Sequence, residues 1–237
     1  MPAPIKPLPR YFADERGRRD FLDGLFDRTA GDYDFVERVL AFGSGSHYRR
    51  DALRRAGLAP GMQALDVATG TGLVAREGLA LGGAVIGLDP SAGMLGEARR
   101  LGYPLVRGLG ERLPFRDACF DFVSMGFALR HVADIDALFA EMRRVLKPGG
   151  TACVLEITRP ANRLVATPLR IFMTRVVPAV ARAARRDGAA LMRFYWDTID
   201  ACVPPEVVLA SLARAGFAAP HRNLTFGMFS EYVARKP

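Results

Sequence analysis

The 237-residue chain has few of the residues that build metal centres and disulfide frameworks. It contains three cysteines without a Cys-x-x-Cys pair and three widely separated histidines, which are Cys119, Cys153, Cys202, His47, His131 and His221. An odd number of unpaired cysteines is typical of reduced thiols in the cytoplasm, and dispersed histidines form no metal-ligand pattern. The sequence therefore predicts a cytoplasmic protein with no disulfide framework and no metal.

Lysine is also scarce, since only three of the 33 basic residues are lysines, and arginine supplies most of the net charge of +8. No basic run is interleaved with aromatic residues, so no nucleic-acid partner is expected. The N-terminus has prolines and early charges but no apolar signal-peptide core, and no uninterrupted apolar run is long enough to span a bilayer. We expect a soluble protein with an ordinary buried core.

Strand-like and helix-like patterns alternate along most of the chain after an N-terminal helical region. Ser46 is the expected N-cap of the second N-terminal helix. The strand-like runs lie near 63–68, 84–88, 104–107, 120–126 and 151–157, and helical patterns lie at 72–81, 91–101 and 134–146. Strands that alternate with helices predict parallel βαβ units and an α/β, doubly wound, Rossmann-like sheet.

The run 64–75, which contains Thr69, Gly70 and Gly72, is the most informative part of the chain. It predicts a strand, a glycine turn and a helix, and the next strand ends in Asp89. Glycines let the backbone turn tightly and approach a ligand where a side chain would collide. Asp89, 17 residues beyond Gly72, can accept hydrogen bonds from both hydroxyls of a ribose. The arrangement predicts an adenosine-containing cofactor.

Asp66 precedes the glycine turn and distinguishes between two such cofactors. The glycine pattern alone also fits the dinucleotide-binding fingerprint. A carboxylate here would repel a pyrophosphate but attract the ammonium group of an amino acid, which S-adenosyl-L-methionine carries. We therefore expect S-adenosyl-L-methionine as the cofactor. In the alternative interpretation, Asp66 only caps the turn.

Further motifs lie on both sides of this turn. Two are selective: Phe-Asp-x-x-Ala-x-x-Tyr-Asp from Phe26 and Phe-x-Leu-Arg from Phe127. A third, Lys-Pro-Gly-Gly from Lys147, is widespread. The chain after residue 20 thereby resembles the ubiquinone/menaquinone biosynthesis C-methyltransferases, a family of class I S-adenosylmethionine-dependent methyltransferases. The resemblance implies a seven-stranded sheet of order 3-2-1-4-5-7-6 with an antiparallel last strand, which suits the strand-like runs 217–224 and 228–235.

The resemblance also implies which residues contact the cofactor. Thr71 and the glycines would lie against the methionine part, and Asp89 would bind the ribose. Met94 would pack on the adenine; alternatively, it belongs to an ordinary helix face that packs on the core. Tyr33 would cover the cofactor; alternatively, it holds the N-terminal helices together.

The chain departs from the family pattern at four positions. Leu109 stands where the family has Asn or Asp, which leaves the backbone N–H of Gly110 as the expected contact to the adenine. His131 and Glu37 replace two asparagines, and Gly45 replaces a histidine, in regions that face the substrate. Methyl transfer remains the expected reaction, while the methyl acceptor is left open.

Three side chains are candidates for the chemistry on the acceptor. A phenol ring carbon becomes nucleophilic when a neighbouring hydroxyl loses its proton, and the enzyme must align that carbon with the activated methyl group. Arg130 is expected to stabilise the developing phenolate, directly or through a water. His131 is the expected general base, or else a capping or water-bridged histidine. Glu156 would orient the substrate or the base, or else pair with a nearby arginine.

Residues 159–203 interrupt the alternation with a helical, apolar and arginine-bearing segment. We expect it to cap the substrate, with Phe194, Tyr195 and Trp196 lining the pocket or supporting it. Its first part, 159–186, is either a helical subdomain on the core or an amphipathic lid on anionic lipid, suited to a prenylated substrate. The arginines that edge it are Arg163, Arg170, Arg175, Arg182, Arg185 and Arg186.

These expectations describe one methyltransferase domain. Its parts are a flexible arm (1–17), N-terminal helices (18–58), a cofactor-binding core (59–158), a helical substrate cap (159–203), and a last helix with an antiparallel hairpin (204–237). The expected activity is C-methylation of a prenylated quinol of the demethylmenaquinol or ubiquinol-precursor type. The alternatives are O- or N-methylation of a phenolic small molecule and a non-catalytic cofactor-binding protein. The expected location is the cytoplasm, either free or at the inner face of the membrane.

Overall fold

The computed structural model describes residues 11–12, 14–41, 43–160, 162–183 and 189–237. Within them, seven strands form one sheet: β1 (Gln63–Val67), β2 (Ala84–Asp89), β3 (Leu105–Arg107), β4 (Phe120–Gly126), β5 (Leu146–Ile157), β6 (Ala218–Thr225) and β7 (Phe229–Arg235). The strand order is β3-β2-β1-β4-β5-β7-β6. β1 to β5 are parallel, and β7 is antiparallel to both of its neighbours. The predicted doubly wound sheet is confirmed.

Helices connect and cover the strands. They are α1 (Glu15–Leu40), α2 (Gly45–Arg55), α3 (Leu73–Ala80), α4 (Ala92–Ala98), α5 (Ile135–Val145), α6 (Arg163–Ile171), α7 (Val177–Ala183), α8 (Ala189–Asp200) and α9 (Pro205–Arg214). Short 3₁₀ turns lie at Arg99–Leu101 and Leu129–His131, and a π-helical turn, Phe172–Val176, joins α6 to α7. The predicted helices between the strands agree with α3, α4 with its 3₁₀ turn, and α5.

Alternate residues of the central strands point into two separate cores. Leu65 and Val123 pack with α5 and α9 on one face of the sheet. Ala64 and Phe122 pack with α2 and α3 on the other face. Because successive side chains of a strand point to opposite faces, these apolar strands are covered on both sides. The ligand-binding edge of such a sheet is the one where the parallel strands end.

The first helix begins within the N-terminal segment 1–17 that the sequence predicts to be an arm. α1 begins at Glu15, and Asp14 caps it by accepting a hydrogen bond from the backbone N–H of Gly17 at 2.7 Å. Tyr11 packs on the ring of Phe21, so the expected arm is already part of a third apolar core at this point. Residues 1–10 and 13 of that arm lie outside the described residues. Ser46 does not cap α2, because the helix begins at Gly45 and Ser46 lies inside its first turn. Ser44 occupies the N-cap position.

The segment α6–α7 lies on the surface at one side of this third core. Met173 and Val177 are buried, whereas Leu164 and Ile171 are 83% and 47% exposed. By length and composition alone, Arg163–Ala183 could cross a membrane, and 28% of its most apolar window is buried. The sequence prediction passed over this stretch because arginines and two prolines interrupt it. Arg185 and Arg186 lie outside the described residues.

Candidate active site

A cavity, here called the cofactor cavity, lies where β1, β2 and β4 end, and α1 closes it from above. Seven of the predicted site residues line it: Tyr33, Gly70, Asp89, Met94, Leu109, Gly110 and His131. Ala68 and Phe127, which follow β1 and β4, also line it and have left-handed backbone angles, with φ of +53° and +59°. Non-glycine residues adopt this conformation at an energetic cost and are concentrated at functional sites.

Asp89 occupies the end of β2 in the way the sequence predicts. Its Oδ2 accepts a hydrogen bond from the backbone N–H of Gly70 at 2.8 Å, and its Oδ1 accepts one from the backbone N–H of Ser91 at 2.9 Å. Burial raises the pKa of Asp89 to about 6, against the lowering effect of these two bonds. The carboxylate is therefore fixed at the cavity wall, where it retains lone pairs for a ligand.

Asp66 is buried and is not among the residues that line the cofactor cavity, and its expected contact with the cofactor stays a prediction. Its carboxylate is 1% exposed and accepts hydrogen bonds from the hydroxyls of Thr69 and Ser124, each at 2.7 Å. Burial raises the pKa of Asp66 to about 6. Asp66 thus ties the glycine turn to β4, as in the turn-capping alternative.

Thr69, Thr71 and Gly72 likewise shape the turn and do not line the cavity. The Thr71 hydroxyl donates to Asp34 on α1 at 2.6 Å. Gly72 has φ of +89°, and a Cβ there would lie 2.8 Å from the hydroxyl oxygen of Tyr103. Gly72 is therefore required by both backbone angle and space, as the sequence predicts for a tight turn.

The far end of the cavity is apolar. Met94 is buried at the start of α4, and the Ser91 hydroxyl caps the N-terminus of that helix. Leu109 also lines the cavity and is 41% exposed. A Cβ on Gly110 would lie 2.9 Å from a methyl carbon of Val67. Close packing against the core therefore requires glycine at this position.

Sequence reasoning found Tyr33 on α1 but missed the contributions of Arg18, Phe26 and Asp27 of the same helix. Asp27 accepts hydrogen bonds from the Ser91 hydroxyl at 2.5 Å and from the backbone N–H of Gly93 at 2.9 Å, which docks α1 on α4. Arg18 and Phe26 of the same helix line the cavity. The Phe-Asp pair of the N-terminal motif was the available signal, since Asp27 is its acid.

Arg130 and Glu156 form a buried ion pair, with Nη1 and Oε1 2.6 Å apart. Arg130 also donates from Nη1 to the carbonyl of Phe127 at 2.6 Å and from Nε to the Thr198 hydroxyl at 3.2 Å. Its guanidinium lies 4.8 Å from the centre of the Tyr195 ring. This geometry corresponds to the alternative in which Glu156 pairs with a nearby arginine. Glu156 itself is fully buried.

His131 lies beside the cofactor cavity between two aromatic rings. Its ring is 5.3 Å from the ring of Phe26 and stacks on that of Phe194 at 5.5 Å. Burial, with the charges of Arg130 and Arg18, holds the pKa of His131 well below its usual value of 6.5. Burial and the lowered pKa favour a neutral imidazole, and the role of His131 as general base stays a prediction.

A second cavity, here called the apolar cavity, adjoins the first and has a volume of about 310 Å³. Tyr33, Phe127 and Tyr195 line both cavities. Side chains from α1, α2, α6, the π-helical turn and β7 complete the wall, among them Leu40, Leu169, Phe172, Met228 and Phe229. Glu37, Arg49 and Arg130 are its charged lining residues.

Phe194, Tyr195 and Trp196 on α8 are predicted either to line the substrate pocket or to support it, and the structure shows both arrangements. Tyr195 lines both cavities, whereas Phe194 and Trp196 are buried in the third core without lining either. Phe194 supports the site indirectly because it stacks on His131. α8 therefore forms one wall of the candidate active site.

Solved structures with the same fold bind S-adenosylmethionine or are described as dependent on it. A methyltransferase from Thermotoga maritima has a TM-score of 0.65 and 20% identity, and the match covers 90% of this chain and 99% of that one. Phosphoethanolamine N-methyltransferase 2 from Haemonchus contortus, solved with S-adenosyl-L-methionine, has a TM-score of 0.67 and 18% identity, with 93% and 60% covered. The seven-stranded sheet therefore has the fold of these S-adenosylmethionine-dependent methyltransferases.

Sequence comparison narrows this class. The profile of the ubiE/COQ5 methyltransferase family matches residues 14–236, and the chain belongs to that family. A demethylmenaquinone methyltransferase from Mycolicibacterium paratuberculosis is 37% identical over 226 residues, which are 94% of this chain and 96% of the relative. One from Mycobacterium bovis is 36% identical, over 90% of this chain and 91% of the relative. The protein is an S-adenosylmethionine-dependent methyltransferase of the ubiE/COQ5 family.

The residues of the cofactor cavity fit S-adenosyl-L-methionine. A Cβ on Gly70 would meet no atom within 4 Å, so the space above the glycine turn is open to a ligand. Asp89 offers carboxylate oxygens where a ribose diol can donate hydrogen bonds, and Met94 with Leu109 offers apolar surface for an adenine. The cavity thus offers polar groups for the ribose and apolar surface for the adenine.

Proposed function

We propose that this enzyme transfers the methyl group of S-adenosyl-L-methionine to a ring carbon of a prenylated quinol of the demethylmenaquinol type. The observation that carries the proposal is the apolar cavity, which shares Tyr33, Phe127 and Tyr195 with the cofactor cavity. A flat, apolar acceptor in this cavity lies beside the methyl donor. The names of the mycobacterial relatives support the same acceptor.

Specific residues are proposed to hold the cofactor. Gly70 and Gly110 would approach it with their backbones, Asp89 would accept the ribose hydroxyls, and Met94 with Leu109 would enclose the adenine. Tyr33 would cover it. Asp66, Thr69, Thr71 and Gly72 would act indirectly by fixing the glycine turn. When bound, the cofactor supplies an activated sulfonium methyl group, and the protein aligns the acceptor with it.

Arg130 is proposed to stabilise negative charge that develops on the oxygen of the acceptor, directly or through a water. Its guanidinium lines the apolar cavity next to Tyr195, and Glu156 fixes its position. Because Glu156 neutralises part of its charge, Arg130 acts mainly through hydrogen bonds and local field. Glu156 is then a positioning residue for Arg130.

The mouth of the apolar cavity supports a substrate with a prenyl tail. Leu169, Phe226 and Met228 line the cavity, and Phe226 is itself 84% exposed at the turn between β6 and β7. Nearby α6–α7 exposes further apolar side chains, Leu164, Val165, Ile171, Val176 and Val180. We propose that this surface rests on an anionic membrane at its cytoplasmic face, where such a tail would be embedded.

O-methylation of a phenolic metabolite is the second candidate. Glu37, a carboxylate in the wall of the apolar cavity, is compatible with it, because a base there can activate a hydroxyl whose own oxygen then attacks the methyl group. Incubation with labelled S-adenosyl-L-methionine and a panel of reduced prenylated naphthoquinols, benzoquinols and simple phenols tests both. Label in a prenylated quinol supports the first proposal, and label only in unprenylated phenols replaces it with the second.

A further inference from the structure

The apolar cavity has one polar end, formed by Glu37 of α1 and Arg49 of α2. Arg49 Nη2 donates to Glu37 Oε1 at 2.5 Å. The Arg49 side chain is 4% exposed, whereas that of Glu37 is 21% exposed. Among the described residues, Glu37 is the only carboxylate in the wall of this cavity, and its Oε2 has no hydrogen-bond partner there. One oxygen of Glu37 is therefore available to a ligand.

Gly45 makes this arrangement sterically feasible. A Cβ at Gly45 would overlap the Oε1 of Glu37 and would lie 2.7 Å from Nη1 of Arg49. Any larger residue would push the carboxylate away from its present position. The absence of a side chain at Gly45 thus sets where Glu37 presents its oxygen.

The position of Glu37 suits a hydroxyl of the acceptor. Tyr33, one helical turn before Glu37 on α1, lines both cavities, whereas Glu37 lines only the apolar one. Residues four apart on a helix lie on the same face, about 5–6 Å apart at Cβ. An aromatic acceptor whose reacting carbon lies beside Tyr33 can therefore direct a ring hydroxyl towards Glu37.

The other acids and bases near the site are less suitable. Glu156 is completely buried and is occupied by Arg130. His131 lines the cofactor cavity but not the apolar one, and its pKa is lowered. Asp89 lies at the ribose end of the cofactor cavity. Glu37 is the carboxylate that an acceptor in the apolar cavity can reach.

We propose that Glu37 is the catalytic residue that accepts the hydroxyl proton of the methyl acceptor, with Arg49 and Gly45 as its positioning residues. The proposal rests on the function proposed above. The hydroxyl proton moves to Glu37, and the oxygen electron pair enters the ring. The neighbouring ring carbon bonds to the methyl carbon while the methyl–sulfur bond breaks and its electrons stay on sulfur, which leaves S-adenosylhomocysteine. The ring carbon then loses its hydrogen to solvent as a proton, and the oxygen regains its proton from Glu37.

Turnover of Glu37→Gln and Glu37→Ala with a reduced prenylated naphthoquinol tests the role of the carboxylate. Removal of a positioned general base lowers rates about 10²–10⁴-fold, so kcat should fall by at least about 10²-fold while the Kd for S-adenosyl-L-methionine stays within about twofold. Formate should partly restore kcat in Glu37→Ala, which a purely structural role would not allow. Glu97→Gln, which removes a surface carboxylate paired with Arg100, is the control.

A binding experiment tests the proton transfer without methyl transfer. The protein is saturated with S-adenosylhomocysteine, and 1-naphthol is added, since its emission distinguishes the neutral from the anionic form. Wild-type protein should give naphtholate emission, and Glu37→Gln should bind the naphthol with mostly neutral emission. Gly45→Ala should shift the emission in the same direction, because its methyl group displaces the carboxylate.

The outcomes separate the two proposals. Wild-type kcat and naphtholate emission in Glu37→Gln would overturn the role of Glu37 and leave the methyltransferase function standing. If wild-type protein methylates no quinol and binds no naphthol, the proposed function itself fails. A loss of kcat in Glu37→Gln together with formate rescue in Glu37→Ala supports the proposal.

Discussion

Arg130 and Glu156 hold each other at 2.6 Å in the floor of the active site, where their side chains are 1% and 0% exposed. One charge comes from the turn after β4 and the other from the end of β5, so the pair joins two neighbouring strands of the sheet. Removing one partner of a buried pair leaves an uncompensated charge, which costs about 3–5 kcal/mol. The pair therefore links the stability of the fold to the geometry of the site.

A double-mutant cycle tests this link. Arg130→Leu and Glu156→Leu should each lower the free energy of unfolding by about 3–5 kcal/mol, and the double variant should lose less than the sum. Urea denaturation of the four proteins measures it. Additive losses would mean that the two side chains do not act as a pair.

Arg130→Lys tests the proposed catalytic role with less damage to the fold. Lysine keeps the charge but lacks the planar fork that contacts Glu156, Thr198 and the carbonyl of Phe127. We expect turnover to fall at least about 10²-fold, a loss in the range of a removed transition-state hydrogen bond, while binding of S-adenosyl-L-methionine stays measurable. Normal turnover in a folded variant would remove Arg130 from the mechanism.

The two glycines of the turn should respond differently to alanine. Gly72→Ala places a methyl group against Tyr103 and strains the backbone. The free energy of unfolding should therefore fall by more than the about 1–2 kcal/mol that the left-handed conformation alone costs. Gly70→Ala meets no atom of the protein, so it should lose only the stability that its left-handed φ of +57° costs, and it should also lose affinity for S-adenosyl-L-methionine. Calorimetry measures both quantities. Equal stability losses without a difference in affinity would contradict the proposed cofactor position.

Affinity for S-adenosyl-L-methionine should depend on pH through Asp89. Its pKa is raised to about 6 because burial disfavours the charged form. Below pH 6 the carboxyl becomes protonated and loses acceptor capacity, so affinity should fall by up to about tenfold per pH unit. Titration calorimetry from pH 7.5 to 5 measures the slope. Asp89→Asn should bind weakly at every pH without this slope, whereas Asp66→Asn should keep it.

Liposome flotation tests the membrane surface. Wild-type protein should bind vesicles with anionic lipid and release them as salt rises, because arginines of α6–α7 contribute charge that salt screens. Phe226→Ser and Leu164→Ser should weaken binding, since both side chains are more than 80% exposed. Equal binding to neutral and anionic vesicles, or unchanged binding of both variants, would argue against this surface.

The sequence predicts the sheet because each strand and helix carries its own local pattern, and the family resemblance supplies the strand order. Gly70, Gly72 and Asp89 were recognisable for the same reason, since turn chemistry and spacing are local. The predicted and observed strand bounds differ at β5. This strand begins at Leu146 and not near 151, because Leu146 already pairs with Phe120 before the Lys-Pro-Gly-Gly turn.

Other features of the site depend on partners distant in sequence. The Asp66 carboxylate accepts hydrogen bonds from Thr69 and from Ser124, which is 58 residues away. The basicity of His131 depends on rings from α1 and α8 that bury it. No local pattern encodes such long-range contacts, and the polar end of the apolar cavity at Glu37 and Arg49 became visible only in the fold.

The position of the transferred methyl group tests the central claim most directly. Wild-type enzyme is incubated with S-adenosyl-L-methionine labelled with ¹³C in its methyl group and with a reduced, prenylated naphthoquinol that lacks the ring methyl. NMR of the product then distinguishes a methyl on carbon from one on oxygen. We predict a single new methyl group on the ring carbon beside a hydroxyl. A methyl on oxygen, or no labelled product with any prenylated quinol, would contradict the account.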